Sequence, residues 1–321
     1  MNYKYDVSIV IVCMNNLKNL YPCLESIKKF TSVSYECFVV AYLFTKENLE
    51  KVKTVFPWVK FIESNEIRGF SENNNLALKL AKGKYCFVLN DDTYFLNDVI
   101  GKLICSFSEL PKNTAIVSPI LYNVDGTVQV AGRPPIGLRE YILSLFHLWS
   151  ERNNGDIYTS QIGLFKTYNI IGAAFLIKTE VFRNVGFFNE YYFFCPEDIA
   201  LSTQLNKAGY SCFVNSDAKL VHLGGGNNVT KTAIATMPAG EKGSIFFFAD
   251  GSVIKHFFLL SFTIPILFLK SIYFHLKSKQ VFDEPYIRSK GYINSIYGLL
   301  SKKTPKQLFV KYYNEIKKIK K

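Results

Sequence analysis

Apolar and polar positions alternate between two periods along most of the chain. Val7 to Cys13 is an unbroken run of β-forming residues, followed by Asn15-Asn16 and then by Leu17, Leu20, Leu24 and Ile27 at helical spacing. That pattern predicts strand, polar turn, helix. Glu36 to Phe44 predicts a second strand, Lys46 to Phe56 a helix, and Val59 to Ile62 a third strand. Gly69 to Ala81 predicts a helix ending before Gly83, which leads into Tyr85 to Leu89, a strand buried on both faces. Further on come a helix over Asn97–Leu110, a strand over Ala115–Ser118, and a β-hairpin over Tyr122–Val130 turning at Asp125-Gly126. Gly132 to Gly163 has no clear period and reads as a binding insertion or lid. Tyr168 to Lys178 then predicts a strand. Pro196 with Leu201, Leu205 and Ala208 predicts a helix ended by Gly209, and Ala218 to His222 a short strand. Strands alternating with helices at this spacing predict an α/β fold on a mostly parallel, doubly wound sheet.

Composition changes this picture at one end only. The 321 residues are enough for one large domain or for a domain with an appendage. Lys270 to Lys321 holds 13 Lys/Arg against three acids, a surplus of 10 in a net charge of +12, so the rest of the chain is nearly neutral. A basic tail on a neutral body points to an anionic surface and away from nucleic acid gripped by the main face. Seven cysteines without a C-x-x-C pair argue against zinc, and Cys13, Cys37, Cys86 and Cys212 lie in apolar runs, as buried thiols of a reducing compartment do. Val7 to Met14 is too short an apolar run for a secretory signal.

Candidate chemistry sits where apolar runs stop. The strand ending at Leu89 gives way to Asn90-Asp91-Asp92, two carboxylates at the strand end where α/β sheets bind ligands. Adjacent carboxylates repel unless a cation lies beside them, and hard divalent cations take oxygen ligands; a solvated, helix-capping loop is the alternative. Asn73-Asn74-Asn75 near a helix start either cap it or line a cleft. Glu197 and Asp198 follow an aromatic run in the first turn of a helix, where acids favour the helix dipole or, behind a water-excluding wall, act as a base. His222 ends a strand before Gly224-Gly225-Gly226 and is either structural or a further metal ligand. Neither G-x-x-x-x-G-K-[ST] nor G-x-G-x-x-G occurs, which disfavours P-loop and dinucleotide folds.

Six segments in order resemble the family 2 glycosyltransferases of GT-A fold, in particular bacterial rhamnosyltransferase-like members. They are V-S-I-V-I-V-C-M-N (Val7–Asn15), N-E-I-R-G-F-S-E-N-N-N (Asn65–Asn75), G-K-Y-C-F-V-L-N-D-D-T (Gly83–Thr93), G-A-A-F-L-I-K-T-E-V-F (Gly172–Phe182), G-F-F-N-E-Y-Y-F-F-C-P-E-D-I-A-L (Gly186–Leu201) and A-K-L-V-H-L-G-G (Ala218–Gly225). The resemblance implies that Asp92 holds Mg²⁺ or Mn²⁺ on the diphosphate of a nucleotide sugar, with Asp91 and Asn90 beside it and His222 able to join the metal. It implies Asp198 as general base with Glu197 as its neighbour, and Asn15, Asn65, Asn73 and Asn75 along the nucleotide-sugar cleft. The implied reaction is a single displacement inverting the anomeric centre, from a dTDP- or UDP-sugar to a glycan or lipid-linked acceptor in bacterial surface glycan synthesis. The chain departs from the family's pattern at Val40-Ala41-Tyr42, where an Asp usually reads the base, at Ala200 in place of a second acid, and at Gln204 in place of an Arg.

The expected domains are residues 1–245, the GT-A glycosyltransferase domain, and 246–321, a membrane-associating extension. Phe257 to Leu269 is an apolar run containing Pro265 and closed by Lys270. It reads as an interfacial or re-entrant anchor flanked by lysines, with a packed core helix and a membrane span as alternatives. The expected location is cytoplasmic, at the inner face of the cell membrane. Two other functions stay open: a nucleotidyltransferase, which would want a Gly- and Lys-rich loop after the first strand, and a membrane-associated glycosyltransferase-like binding protein with reduced activity.

Overall fold

The computed structural model describes residues 3–129, 132–150, 158–224 and 229–319. Nine strands form one sheet: β1 Tyr5–Cys13, β2 Tyr35–Tyr42, β3 Lys60–Ser64, β4 Gly83–Asn90, β5 Thr93–Phe95, β6 Thr114–Tyr122, β7 Leu164–Thr167, β8 Ala174–Lys178 and β9 Ser211–His222. Their order is β3-β2-β1-β4-β8-β6-β9-β5, with β7 also on β9. The half from β3 to β4 is parallel, β8 runs antiparallel to β4 and β6, and β6 pairs parallel with β9.

Period-2 alternation sorts side chains onto the two faces. Val7, Ile9, Ile11 and Cys13 of β1 pack on one side with helices α1 (Leu17–Phe30), α2 (Lys46–Val55) and α4 (Val99–Glu109). Val10, Phe38 and Val88 pack on the other with α3 (Phe70–Leu78), α6 (Thr179–Asn184) and α7 (Glu197–Lys207). The result is the expected α/β sheet with helices on both faces, but it is mixed where a mostly parallel sheet was expected, because β5, β7 and β8 pair antiparallel; the strand ends of β1, β2 and β4 lie on one edge. Cys13, Cys37, Cys86 and Cys212 are all buried in it.

Two strands differ from their sequence expectation, for identifiable reasons. The strand expected over Tyr168–Lys178 begins at Ala174, because amides before it are bonded by α7 side chains: Ile170 N–H donates to Ser202 Oγ and Gly172 N–H to Asp198. Conversely, β9 starts at Ser211 and not at Ala218. Its polar stretch bulges between the pairs Pro119–Asn215 and Ile120–Lys219, where Asn215 donates to Ser106 Oγ and accepts from the Asp217 amide. The aperiodic stretch from Gly132 to Gly163 contains α5 (Leu138–Leu145) and is followed by β7, while its residues 151–157 lie outside the described part, as do Val130 of the hairpin and Gly225-Gly226. The hairpin turn itself is present, with Gly126 at φ 83° and Tyr122 bridged to Val128.

Four helices complete the chain: α8 (Ala233–Ala249), α9 (Val253–Lys277), α10 (Glu284–Leu300) and α11 (Pro305–Ile319). The boundary expected at 245/246 falls inside α8. The apolar run expected as an interfacial or re-entrant anchor lies in α9, one continuous helix through Pro265. Proline forfeits a single i→i−4 bond there, and the helix's apolar length and packing carry it past. Nor is the basic tail a loose segment: Leu308, Phe309, Tyr312 and Ile316 of α11 are buried, Phe309 stacks 4.4 Å from Phe193, and Lys306 pairs with Glu72 at 2.7 Å.

Candidate active site

Two polar centres form at the carboxyl edge of the sheet. At the first, β4 ends in Asn90-Asp91-Asp92 and the chain turns back into β5, which pairs with the end of β9 so that Thr93 faces His222. The pairing brings His222 Nε2 to 3.4 Å from Asp92 Oδ1. His222 Nδ1 lies 3.0 Å from Gln129 Oε1, and the Gln129 amide donates to the carbonyls of His222 and Gly224. With Nδ1–H given to Gln129, the lone pair of Nε2 faces Asp92, the arrangement that second-shell partners impose on metal-binding histidines. A Cβ on Gly224 would stand 2.6 Å from Asp92 Oδ2 and 2.9 Å from His222 Nε2, so only glycine keeps this corner clear.

One carboxylate and one oriented imidazole in a corner that glycine keeps open suit a divalent cation that retains waters and takes its remaining ligands from a substrate diphosphate. Among the described residues no group of three or more His, Cys, Asp or Glu side chains gathers as a metal site. The residues thus fit a shared, substrate-completed ion better than a closed protein cage. Asp91 points elsewhere, toward Cys13 at the end of β1. Burial raises its carboxyl to about 6 against a hydrogen bond from the Cys13 thiol, with a further push from Asp92.

At the second centre, Asp198 Oδ2 accepts from Arg133 Nη1 at 3.0 Å and from the Gly172 amide at 3.1 Å, and Oδ1 accepts from Ile199 N–H at 2.8 Å. Its side chain, 13% exposed, lines a cavity of about 1030 Å³. Glu197 turns the other way, into the interior, and its Oε2 has no hydrogen-bond partner. Burial first, and the nearby Asp198 charge second, push Glu197 up to about 7.

The two centres share connecting elements. Asn90 N–H donates to Ala173 O, and the next residue back, Gly172, donates to Asp198. Gln129 on His222 and Arg133 on Asp198 belong to one segment, and four residues span at most about 14 Å even when extended. Asp92, His222 and Asp198 therefore share one edge of the sheet.

The asparagines divide. Asn15, at φ 52°, accepts from Thr45 N–H and Asn48 Nδ2 and so ties the β1 end to the start of α2. Asn65 is exposed just after β3. Asn73 and Asn75 are buried with their amides engaged by the protein: Asn73 with Ser64 and the Arg68 carbonyl, Asn75 with Phe188 backbone and Glu190. Sequence reasoning missed Gln129, Arg133 and Gly172. Gln129 lies in the expected hairpin, Arg133 at the start of the stretch without periodicity, and Gly172 looked like a strand residue.

Because Glu197 binds a proton more readily folded than unfolded, its contribution to stability is fully present below the ordinary carboxylate range and is lost as pH rises through about 7. Glu197→Gln is neutral throughout. Raising pH from 5 to 8 is expected to lower the melting temperature of the natural protein relative to that variant, measured by circular dichroism. Parallel profiles would reject the assignment.

A parallel half-sheet closed by antiparallel strands, with its polar centres at the carboxyl edge, defines a GT-A type of α/β fold. Residues 8–186, more than half of the chain, match the model described as Glycosyl transferase family 2, and the chain belongs to that family. The O-antigen biosynthesis protein RfbC of Myxococcus xanthus is 25% identical over 149 residues, 46% of this chain; the match spans 12% of that protein's length. Among solved structures, GalNAc-T7 with UDP, GalNAc and Mn²⁺ aligns at TM-score 0.55 and 17% identity over 70% of this chain and 45% of that one. The mannosyltransferase PcManGT from Pyrobaculum calidifontis, in complex with GDP-Man and Mn²⁺, aligns at TM-score 0.49 and 12% identity over 98% of this chain and 81% of that one.

Proposed function

We propose that this protein is an inverting, metal-dependent glycosyltransferase that moves a hexosyl or rhamnosyl group from a UDP- or dTDP-sugar to a glycan or lipid-linked acceptor in surface glycan synthesis. The observation that carries the reading is the Asp92–His222 pair set on the same sheet edge as Asp198, with a cavity of about 1030 Å³ opening at Asp198. Asp92 and His222 would hold Mg²⁺ or Mn²⁺, which when bound neutralises charge on the leaving diphosphate. Asp198 takes the proton of the attacking acceptor hydroxyl, while Arg133 and the Gly172 amide fix its carboxylate in place. Acceptor and donor approach from opposite sides, which inverts the anomeric centre. The O-antigen role of the RfbC relative supports the surface glycan setting.

The acceptor and membrane parts rest on α9. It is long and apolar enough to cross a membrane, with 22% of its most apolar window buried. Its buried stripe is Leu259, Thr263, Leu267 and Ser271, two of them polar, while Phe257, Phe268, Leu269 (65% exposed) and Leu276 (79% exposed) face outward. A helix with a narrow buried stripe, half of it polar, and large apolar groups turned outward suits contact with lipid. Leu267 and Lys270 line the cavity as Phe268 and Leu269 face out, so one helix separates the cavity from that outer surface. We propose that this contact lies at the cytoplasmic face, with residues 246–321 contributing most of it, which the surplus of lysine and arginine from Lys270 onward supports.

UDP- or dTDP-sugars are expected to raise the melting temperature by several degrees with Mn²⁺ and to lose that effect in EDTA; no shift with any nucleotide sugar would reject the reading. Binding to anionic vesicles is expected to fall on replacing Phe268 and Leu269 by Glu in the full chain, with binding at the unaltered level rejecting the lipid contact.

A further inference from the structure

The far wall of the cavity carries a second polar centre that proton removal by Asp198 does not use. Glu241 of α8 faces Tyr141 of α5, whose hydroxyl lies 3.4 Å from Glu241 Oε2 and 3.0 Å from Thr263 Oγ1 of α9. Lys270 of α9 lines the same space, with its ammonium 5.9 Å from the Tyr292 ring and no direct ion pair among the described residues. A carboxylate offers about four acceptor positions and an ammonium three donors. One long hydrogen bond to Glu241 leaves most of that capacity turned into the cavity, and burial accordingly raises the Glu241 carboxyl. Trp149, Phe248 and Tyr292 supply aromatic faces around it. All of α8, α9 and α10 lie beyond the residues that match the family model.

Acid, hydroxyl and ammonium groups beside aromatic rings match the surface of a sugar, which offers hydroxyls at its edge and C–H groups on its faces. We infer that Glu241, Tyr141 and Lys270 form the recognition site for the glycan end of the acceptor, which bonds them through its hydroxyls while its attacking hydroxyl reaches Asp198. The inference rests on the transferase reading and assigns its acceptor specificity to Tyr141 of the family-matched region together with Glu241 and Lys270 of helices beyond it.

Trp149 provides the test, because the only other tryptophan, Trp58, packs away from the cavity against Tyr35 and Phe56. In a Trp58→Phe background, Trp149 fluorescence is titrated with n-octyl β-D-glucopyranoside and n-octyl α-L-rhamnopyranoside below their aggregation thresholds, with n-octanol as control. A saturable response to at least one glycoside, absent with octanol, is expected. Glu241→Gln should weaken it about tenfold and Tyr141→Phe about threefold, as loss of hydrogen bonds to buried groups predicts, with both variants melting cooperatively. Lack of any glycoside response, a response shared with octanol, or a Glu241→Gln titration that overlays the parent would overturn the inference. Nucleotide-sugar hydrolysis by the unaltered protein, measured in parallel, separates the failures. Its absence counts against the transferase reading, whereas its presence with overlaid titrations counts against the acceptor site alone.

Discussion

Asp198→Asn is expected to lower kcat for sugar transfer by about 10²–10⁴-fold, the usual contribution of a positioned general base. Asparagine preserves shape and can still accept from Arg133 and the Gly172 amide, so the α7 start and the strand before it should stay in place. What it cannot do is take a proton. The donor's KM should change little, because Asp198 acts on the acceptor side. The fold check is the thermal midpoint, which should remain near that of the parent. Transfer at the parent rate in a folded Asp198→Asn protein would remove Asp198 from the mechanism. Arg133→Gln offers a graded comparison, since it loses the ion pair but leaves the carboxylate in reach of the acceptor.

Much of this arrangement could be read from one dimension, and the limits have physical causes. Runs such as Val7–Cys13 and Tyr85–Leu89 announce buried strands because every residue in them favours β structure and avoids water. The acids at their ends stand out by contrast. The reading weakened where pairing partners are polar side chains. Ile170 and Gly172 give their amides to Ser202 and Asp198 of α7, some 26 to 32 positions away, and no local pattern foretells that. In the same way β9 continues past a bulge at Ser216 and Asp217, where Ser106 of α4 bonds Asn215 across the fold. Asn73 and Asn75 looked like cleft residues for the same reason. An amide can serve a ligand or the protein's own backbone, and only tertiary structure shows which. Pro265 leaves α9 intact, since one lost hydrogen bond does not stop a 25-residue helix whose remaining bonds are made.

The helical region changes what the family-matched domain can do. A nucleotidyltransferase would need a phosphate-cradling loop after β1; instead Asn15 is committed to Thr45 and Asn48. The cavity at Asp198 is lined by α8 and α9 together with Arg133, Tyr141 and Trp149, so it combines residues inside and outside the family-matched 8–186. On the proposed reading, donor chemistry lies at the Asp92–His222 corner and acceptor choice in this cavity, and each should be separately alterable.

Asp92→Asn separates them most sharply. Metal stabilisation of a leaving diphosphate amounts to several kcal/mol, and at about 1.36 kcal/mol per decade its loss lowers kcat/KM by about 10²–10³-fold. The substitution should leave the β4–β5 turn in place, because Leu223 N–H bonds the backbone carbonyl of Asp92 and not its carboxylate. EDTA should reproduce the loss in the natural protein, and excess Mn²⁺ should reverse the EDTA effect but restore little in the variant. Gln129→Leu tests the same centre from behind. It leaves Asp92 and His222 present but frees the imidazole to rotate, so metal affinity should fall about 10–100-fold with near-normal turnover at saturating Mn²⁺. Vesicle binding through α9 should be the same in all of these proteins. If Asp92→Asn transferred sugar at the parent rate, or if chelation left the natural protein fully active, the metal would have no place in the reaction and the Asp92–His222 corner would be a structural pair.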